Sequence, residues 1–275
     1  MKGVTLIELV VTIVVIGILA GVTATILVPA YEAYFATQRR AQLADMADSA
    51  LRRMVRDVRL SVPNSPRVTA AGGDRFLEFL LTKNGGRYRA LNDDDVSTAD
   101  DPLRFDAPDN AFDTLGTLAA GTDQLVQPND FVVIHNLGIP GADAYEAGAT
   151  NIARVQAFGT GAIAGEDHIA FVGTNQFPLE SPGRRFFVTS GPVTYACVGG
   201  QLLRWSGYAI QAAQPTSLPA GGTQAILATD VSACEITYSA ELTQRARGLV
   251  SIRLAITRAN ETVVLYHQTH VNNVP

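Results

Sequence analysis

The stretch from residue 4 to residue 28 reads VTLIELVVTIVVIGILAGVTATILV, and its only ionisable side chain is Glu8. A run of this length and apolarity is long enough to cross a bilayer as a helix. A carboxylate inside such a run is costly to bury in hydrocarbon, so Glu8 implies a function and a partner for its charge. The apolar character does not end abruptly. Leu43, Met46, Ala47, Ala50, Leu51, Met54, Val55 and Val58 recur in steps of three and four. That spacing draws one apolar stripe along a helix. Arg39, Arg40, Gln42, Asp45, Arg52, Arg53, Arg56 and Arg59 fall on the opposite face. Residues 4 to about 61 therefore predict one helix of about 85 Å. It is apolar all round at first and amphipathic later, weakened at Gly21 and Pro29 and ended by Pro63 and Pro66. The stripe covers too few heptads for a long coiled coil, so it is expected to pack on the chain's own sheet.

Beyond Pro66 short apolar runs alternate with Gly, Pro, Asn and Asp. Strands are predicted at 76–82, 87–91, 131–136, 152–158, 168–172, 185–189, 193–198, 201–205, 232–239, 248–257 and 262–267. In the run at 248–257, Val250, Ile252, Leu254 and Ile256 share one face, the pattern of a strand with one buried side. Arg258-Ala259-Asn260-Glu261 and Gly199-Gly200 predict hairpin turns. Gly72-Gly73, Gly85-Gly86 and Gly221-Gly222 are also taken as turns, and 92–129 and 211–222 as loops. A helix followed by many antiparallel strands is an α+β plan, with the helix laid across a sheet.

The order Gly3-Val4-Thr5-Leu6-Ile7-Glu8 resembles the N-terminal signal of type IV pilins and type II secretion pseudopilins. The resemblance implies cleavage by a prepilin peptidase after Gly3, N-methylation of the new terminus Val4, and Glu8 as the carboxylate that pairs with a neighbour's terminal amine during assembly. Gly17 falls where the family has a helix glycine, while Val4 stands where it commonly has Phe or Met. The domains implied are a leader at 1–3, a transmembrane and filament-core helix at 4–30, and a periplasmic pilin-like α+β domain at 31–275. Two plainer readings of the segment are a secretory signal cut near Ala24 and an uncleaved signal anchor. Neither accounts for the G-V-T-L-I-E order.

The stretch 47–68 resembles the J-type minor pseudopilins. The segments 185–208 and 248–275, the latter ending LYHQTHVNNVP, resemble the minor pilins of mannose-sensitive haemagglutinin (MSHA) pili. That resemblance implies a filament subunit of low copy number. Its partners would be prepilin peptidase, other major and minor pilins through the N-terminal helix, the inner-membrane assembly platform and the inner membrane itself. It would reside first in the inner membrane and then in the pilus. A pseudopilin of type II secretion and a pilus-borne adhesin module remain as alternatives. In an oxidising compartment Cys197 and Cys234 are expected to form one disulfide; two separate buried thiols or a redox pair are the other readings, the latter without a C-x-x-C motif.

Net charge is −5, with pI near 5.4, so nucleic acid is not an expected partner. No catalytic residue, metal site or cofactor is expected. His267 and His270 are three apart, which on a strand puts them on opposite faces. His135 and His168 stand alone in the sequence. The acidic residues Asp93, Asp94, Asp95, Asp100 and Asp101 lack the Gly and Glu spacing of a calcium loop and are taken as a solvated loop. Trp205 and Tyr208 are taken as core rather than as a sugar-stacking surface.

Overall fold

A computed structural model describes residues 3–91, 99–240 and 247–275. Met1 and Lys2, of the expected leader, and the acidic run Asp93, Asp94 and Asp95 lie outside them. Among the described residues one 54-residue helix, α1 (Leu6–Arg59), precedes twelve strands, so the fold is α+β. Thr5 caps α1: its Oγ1 accepts a hydrogen bond from the Glu8 backbone N–H at 3.3 Å. The helix continues through Pro29, and Leu60 closes it just before Pro63.

The strands form two antiparallel sheets. The larger contains β1 (Arg67–Ala71), β2 (Asp74–Arg87), β3 (Asp109–Asp113), β4 (Phe131–Ile134), β5 (Ile152–Thr160), β6 (Asp167–Asn175), β7 (Arg185–Val198), β8 (Gln201–Ser206) and β9 (Thr223–Ala228). Its spine is β7. Along one edge β7 pairs with β2; along the other it pairs with β4 at its start and β8 at its end. The sheet thus branches into an arm β4-β5-β6-β3 and an arm β8-β9. The smaller sheet is β10 (Val231–Ala240), β11 (Arg247–Arg258) and β12 (Glu261–Asn272).

The apolar stripe of α1 is the keystone. Leu43, Ala47, Ala50, Leu51, Met54 and Val58 are buried, and they pack with residues of both sheets. Leu77, Phe79, Tyr195 and Leu202 come from the larger sheet; Ile236, Val250, Ile252, Leu254 and Ile256 come from the smaller. The expected alternation in β11 is therefore present, with its even-numbered apolar residues facing the helix. The Cys197–Cys234 disulfide ties β7 to β10 across this core, Cα to Cα 6.3 Å. The two-residue turns at Gly199-Gly200 and Ala259-Asn260 have positive φ at both positions, as tight hairpins require. A second core, with Phe112, Phe171, Phe177, Phe186 and Val188, fills the β3–β6 arm away from the helix.

Several sequence expectations need correction. The helix is covered by two sheets, not one. Gly85-Gly86 is no turn: β2 runs straight through it. A Cβ at Gly85 would sit 2.8 Å from the Phe186 carbonyl oxygen, so glycine here permits close strand approach. The predicted strand at 87–91 is reduced to single bridges, Tyr88 with Thr114 and Ala90 with Leu103. The two predicted strands at 185–189 and 193–198 are one, continuous through Gly191-Pro192. Finally, β1, β3 and β9 occupy stretches that lacked a strand pattern, and β3 lies within the predicted 92–129 loop.

Candidate functional site

The feature that nothing in the fold consumes is the first half of α1. Its large apolar side chains from Val4 to Phe35 are all exposed, Leu6 at 82% and Tyr34 at 65%. No other described part of the chain covers them. The most hydrophobic window of α1 is long and apolar enough to cross a membrane. At 1.5 Å per residue the exposed sleeve is about 47 Å long, close to the thickness of a bilayer with its headgroups.

Glu8 occupies the third helical position, where Thr5 and Glu8 have the spacing of a capping box. A carboxylate in the first turn also faces the positive end of the helix dipole. The sequence pattern T-x-x-E was there to be read as a cap, and it supplies a local reason for Glu8 alongside any role in assembly. Gly3 and Val4 are exposed and precede the helix, so the peptide bond between them is accessible. Cleavage there would leave a terminal amine one turn from the Glu8 carboxylate.

The polar side of α1 divides into residues that hold the domain and residues that do not. Asp57 accepts hydrogen bonds from Tyr195 Oη at 2.7 Å and Arg204 Nε at 2.9 Å, pinning the helix to β7 and β8. Arg59 Nε donates to Thr269 Oγ1 at 3.0 Å, and Arg40 pairs with Glu261 at the β11–β12 turn, 2.5 Å. Arg52 pairs with Asp48 one turn away. Arg53 and Arg56 point outward.

Buried polar clusters tie other parts of the domain together. Glu78 on β2 is fully buried, paired with Arg67 at 2.6 Å and accepting from Tyr208 Oη at 2.9 Å. The Arg67 guanidinium lies 3.7 Å over the Tyr145 ring and donates to the Gln211 and Ala212 carbonyls. Burial pushes the Glu78 carboxyl above its ordinary value, and Arg67 pulls against that rise. The hydroxyl of Tyr208 is raised too, mainly by burial and then by Glu78.

In the outer arm, Asp100, Asp113 and Glu166 bring carboxylate oxygens within 4.8 Å of one another. Arg89 is bonded to Glu166 and lies 3.7 Å from Asp100, and His168 Nδ1 is 2.8 Å from Asp113. The Asp100 side chain is buried rather than solvated, which corrects the loop expectation for that residue. Burial and then the neighbouring Asp109 raise the Asp101 carboxyl, and His168 opposes them. A guanidinium and an imidazole already face these carboxylates, so the cluster has an internal account as an ion-pair network.

The histidines do not converge. His267 faces α1, 3.9 Å from Asp48, and His270 is exposed on the other face of β12. His135 sits at a turn with φ of 48°, its imidazole pKa lowered by burial. Trp205 is 3% exposed and packs with Phe76, ring centroids 5.8 Å apart, so the core reading of Trp205 and Tyr208 stands. Compared with known proteins, the chain matches no family model, no curated protein and no solved structure.

Proposed function

We propose that the chain is a minor subunit of a type IV pilus of the MSHA kind, similar to the biogenesis protein MshO, and that it works by assembly rather than by turnover. In this reading prepilin peptidase cuts between Gly3 and Val4 and methylates Val4. The bare half of α1 first anchors the chain in the inner membrane with the β domain on the periplasmic side. It then leaves the lipid for the helical core of a filament. The observation that carries the reading is the division of α1. One half is uncovered, uncharged from Val4 to Val28 except for Glu8, and preceded by G-V-T-L-I-E; the other half is sealed into a disulfide-linked β domain.

Moving the sleeve from lipid into helical contacts gains little from hydrophobicity, because lipid tails are as apolar as leucine. Packing and the neutralisation of Glu8 would have to drive the step. Glu8→Ala should leave the protein present and folded in the membrane while filament incorporation falls sharply. Normal incorporation of Glu8→Ala would contradict the mechanism. Deleting the chain separates the pilus reading from type II secretion: lost surface pili favour the former, and a secretion defect with intact pili favours a J-type pseudopilin.

A further inference from the structure

Between Glu8 and Tyr31, α1 carries neither an ionisable nor an aromatic side chain. Residues 9–30 span about 33 Å at 1.5 Å per residue. The hydrocarbon core of a bilayer is about 30 Å thick, and an ordinary helix tilt takes up the difference. The whole bare sleeve is too long for that core. Side chains at its ends must therefore set its depth.

Tyr31, Tyr34 and Phe35 mark the end nearer the β domain. All three are exposed, and their i, i+3, i+4 spacing puts them on one side of the helix. The Tyr34 and Phe35 rings stand 5.6 Å apart, and Tyr31 and Tyr34 line an apolar groove with Leu27 and Ala30. None of the three joins an apolar core of the described domain. Neither tyrosine hydroxyl bonds a described residue. Such rings settle at the headgroup layer, with the apolar body on the acyl chains and the polar tip in water. Centring the bilayer on residues 4–28 instead would draw Glu8 into hydrocarbon and move the rings about 5 Å towards water.

We propose that Tyr31, Tyr34 and Phe35 form a collar that binds phospholipid headgroups and fixes the depth of α1, with residues 9–30 in hydrocarbon and Glu8 in the headgroup layer of the opposite leaflet. Glu8 then keeps water and headgroup contacts while the chain is anchored. Its demand for a partner amine begins when the helix leaves the lipid. The Gly3–Val4 bond lies outside the hydrocarbon, where a peptidase reaches it. The inference rests on the membrane-anchor stage of the proposed function.

The test uses the uncleaved full chain, its Cys197–Cys234 disulfide intact, in vesicles of phosphatidylethanolamine and phosphatidylglycerol. A nitroxide is attached in turn at Ile7→Cys, Ile16→Cys, Leu19→Cys and Ala33→Cys, and its depth is read from relaxation by oxygen against a water-soluble nickel chelate. The expected profile is deepest at Leu19, with the Ile7 and Ala33 labels both at headgroup depth. A maximum at Ile16, about 4–5 Å away along the helix, with the Ile7 label in hydrocarbon, overturns the assigned depth. Tyr31→Ser combined with Tyr34→Ser should move the maximum towards Ile16; a profile that stays in place overturns the collar. Labels that the nickel chelate reaches at every position overturn the collar and the anchor stage together. A chain with the expected profile that cells never cut after Gly3 supports the collar and overturns the filament reading.

Discussion

The two halves of α1 are one continuous helix with opposite surroundings. From Leu43 to Val58 the apolar residues occupy a single stripe, and two sheets cover that stripe. From Val4 to Phe35 they occupy every face, and no other described residue covers them. Periodicity therefore locates the partner. An amphipathic stripe with a 3.6-residue period specifies a partner on one side, and here it is the chain itself. An apolar sleeve without a polar face specifies surroundings on all sides, which one small β domain cannot provide.

The sharpest way to break this contrast is to put the same charge into each half. Leu51→Asp buries an unpaired carboxylate in the core between the two sheets. It should cost at least about 4–5 kcal/mol and leave little folded domain. Leu19→Asp should shift the unfolding of the β domain by no more than about 0.5 kcal/mol while impairing membrane insertion. Equal effects on domain unfolding, followed by circular dichroism in detergent, would erase the distinction between the halves.

The next effect concerns the clamp around the covered half. Cys197 and Cys234 close a sequence separation of 37 residues between the two sheets that sandwich the stripe. Replacing both with Ser should lower stability by about 3–4 kcal/mol in the chain-entropy model. Denaturant unfolding of the oxidised protein against the double variant measures it.

A pH effect sharpens the account of the domain's polar interior. Burial raises the Glu78 carboxyl above 4.5. The folded state then holds that proton more tightly than the unfolded chain does. The stabilisation is complete below about that pH and is lost as pH rises through the folded value. Relative to Glu78→Gln, the unsubstituted protein should lose stability as pH climbs from 4.5 towards neutrality. The smallest effect is at the boundary between the halves. Arg40→Ala removes an ion pair whose arginine is largely exposed, and the melting temperature should not move measurably.

Much of this architecture was legible in the chain. The helix, its change of character, the buried face of β11 and both tight turns follow from local patterns: period, and glycine and asparagine at positive φ; the cysteine pair was expected on the condition of an oxidising compartment. What escaped was non-local. Strands β1, β3 and β9 lack an alternating apolar pattern, and their neighbours across the sheet define them. Gly85-Gly86 looks like a turn until Phe186 and Phe187 are placed against it. Arg89 and Glu166 are far apart in sequence, and so are Glu78 and Tyr208; only the sheet order brings either pair together. The Thr5–Glu8 cap, by contrast, was visible locally and masked by the stronger meaning attached to Glu8.

The central claim is that the bare half of α1 belongs to a processed filament subunit. Intact mass of the chain extracted from membranes, with and without an active prepilin peptidase, tests it most directly. Loss of Met1–Gly3 and gain of one methyl group, only when the peptidase is active, is the predicted result. An uncleaved chain, or one cut near Ala24, would contradict it.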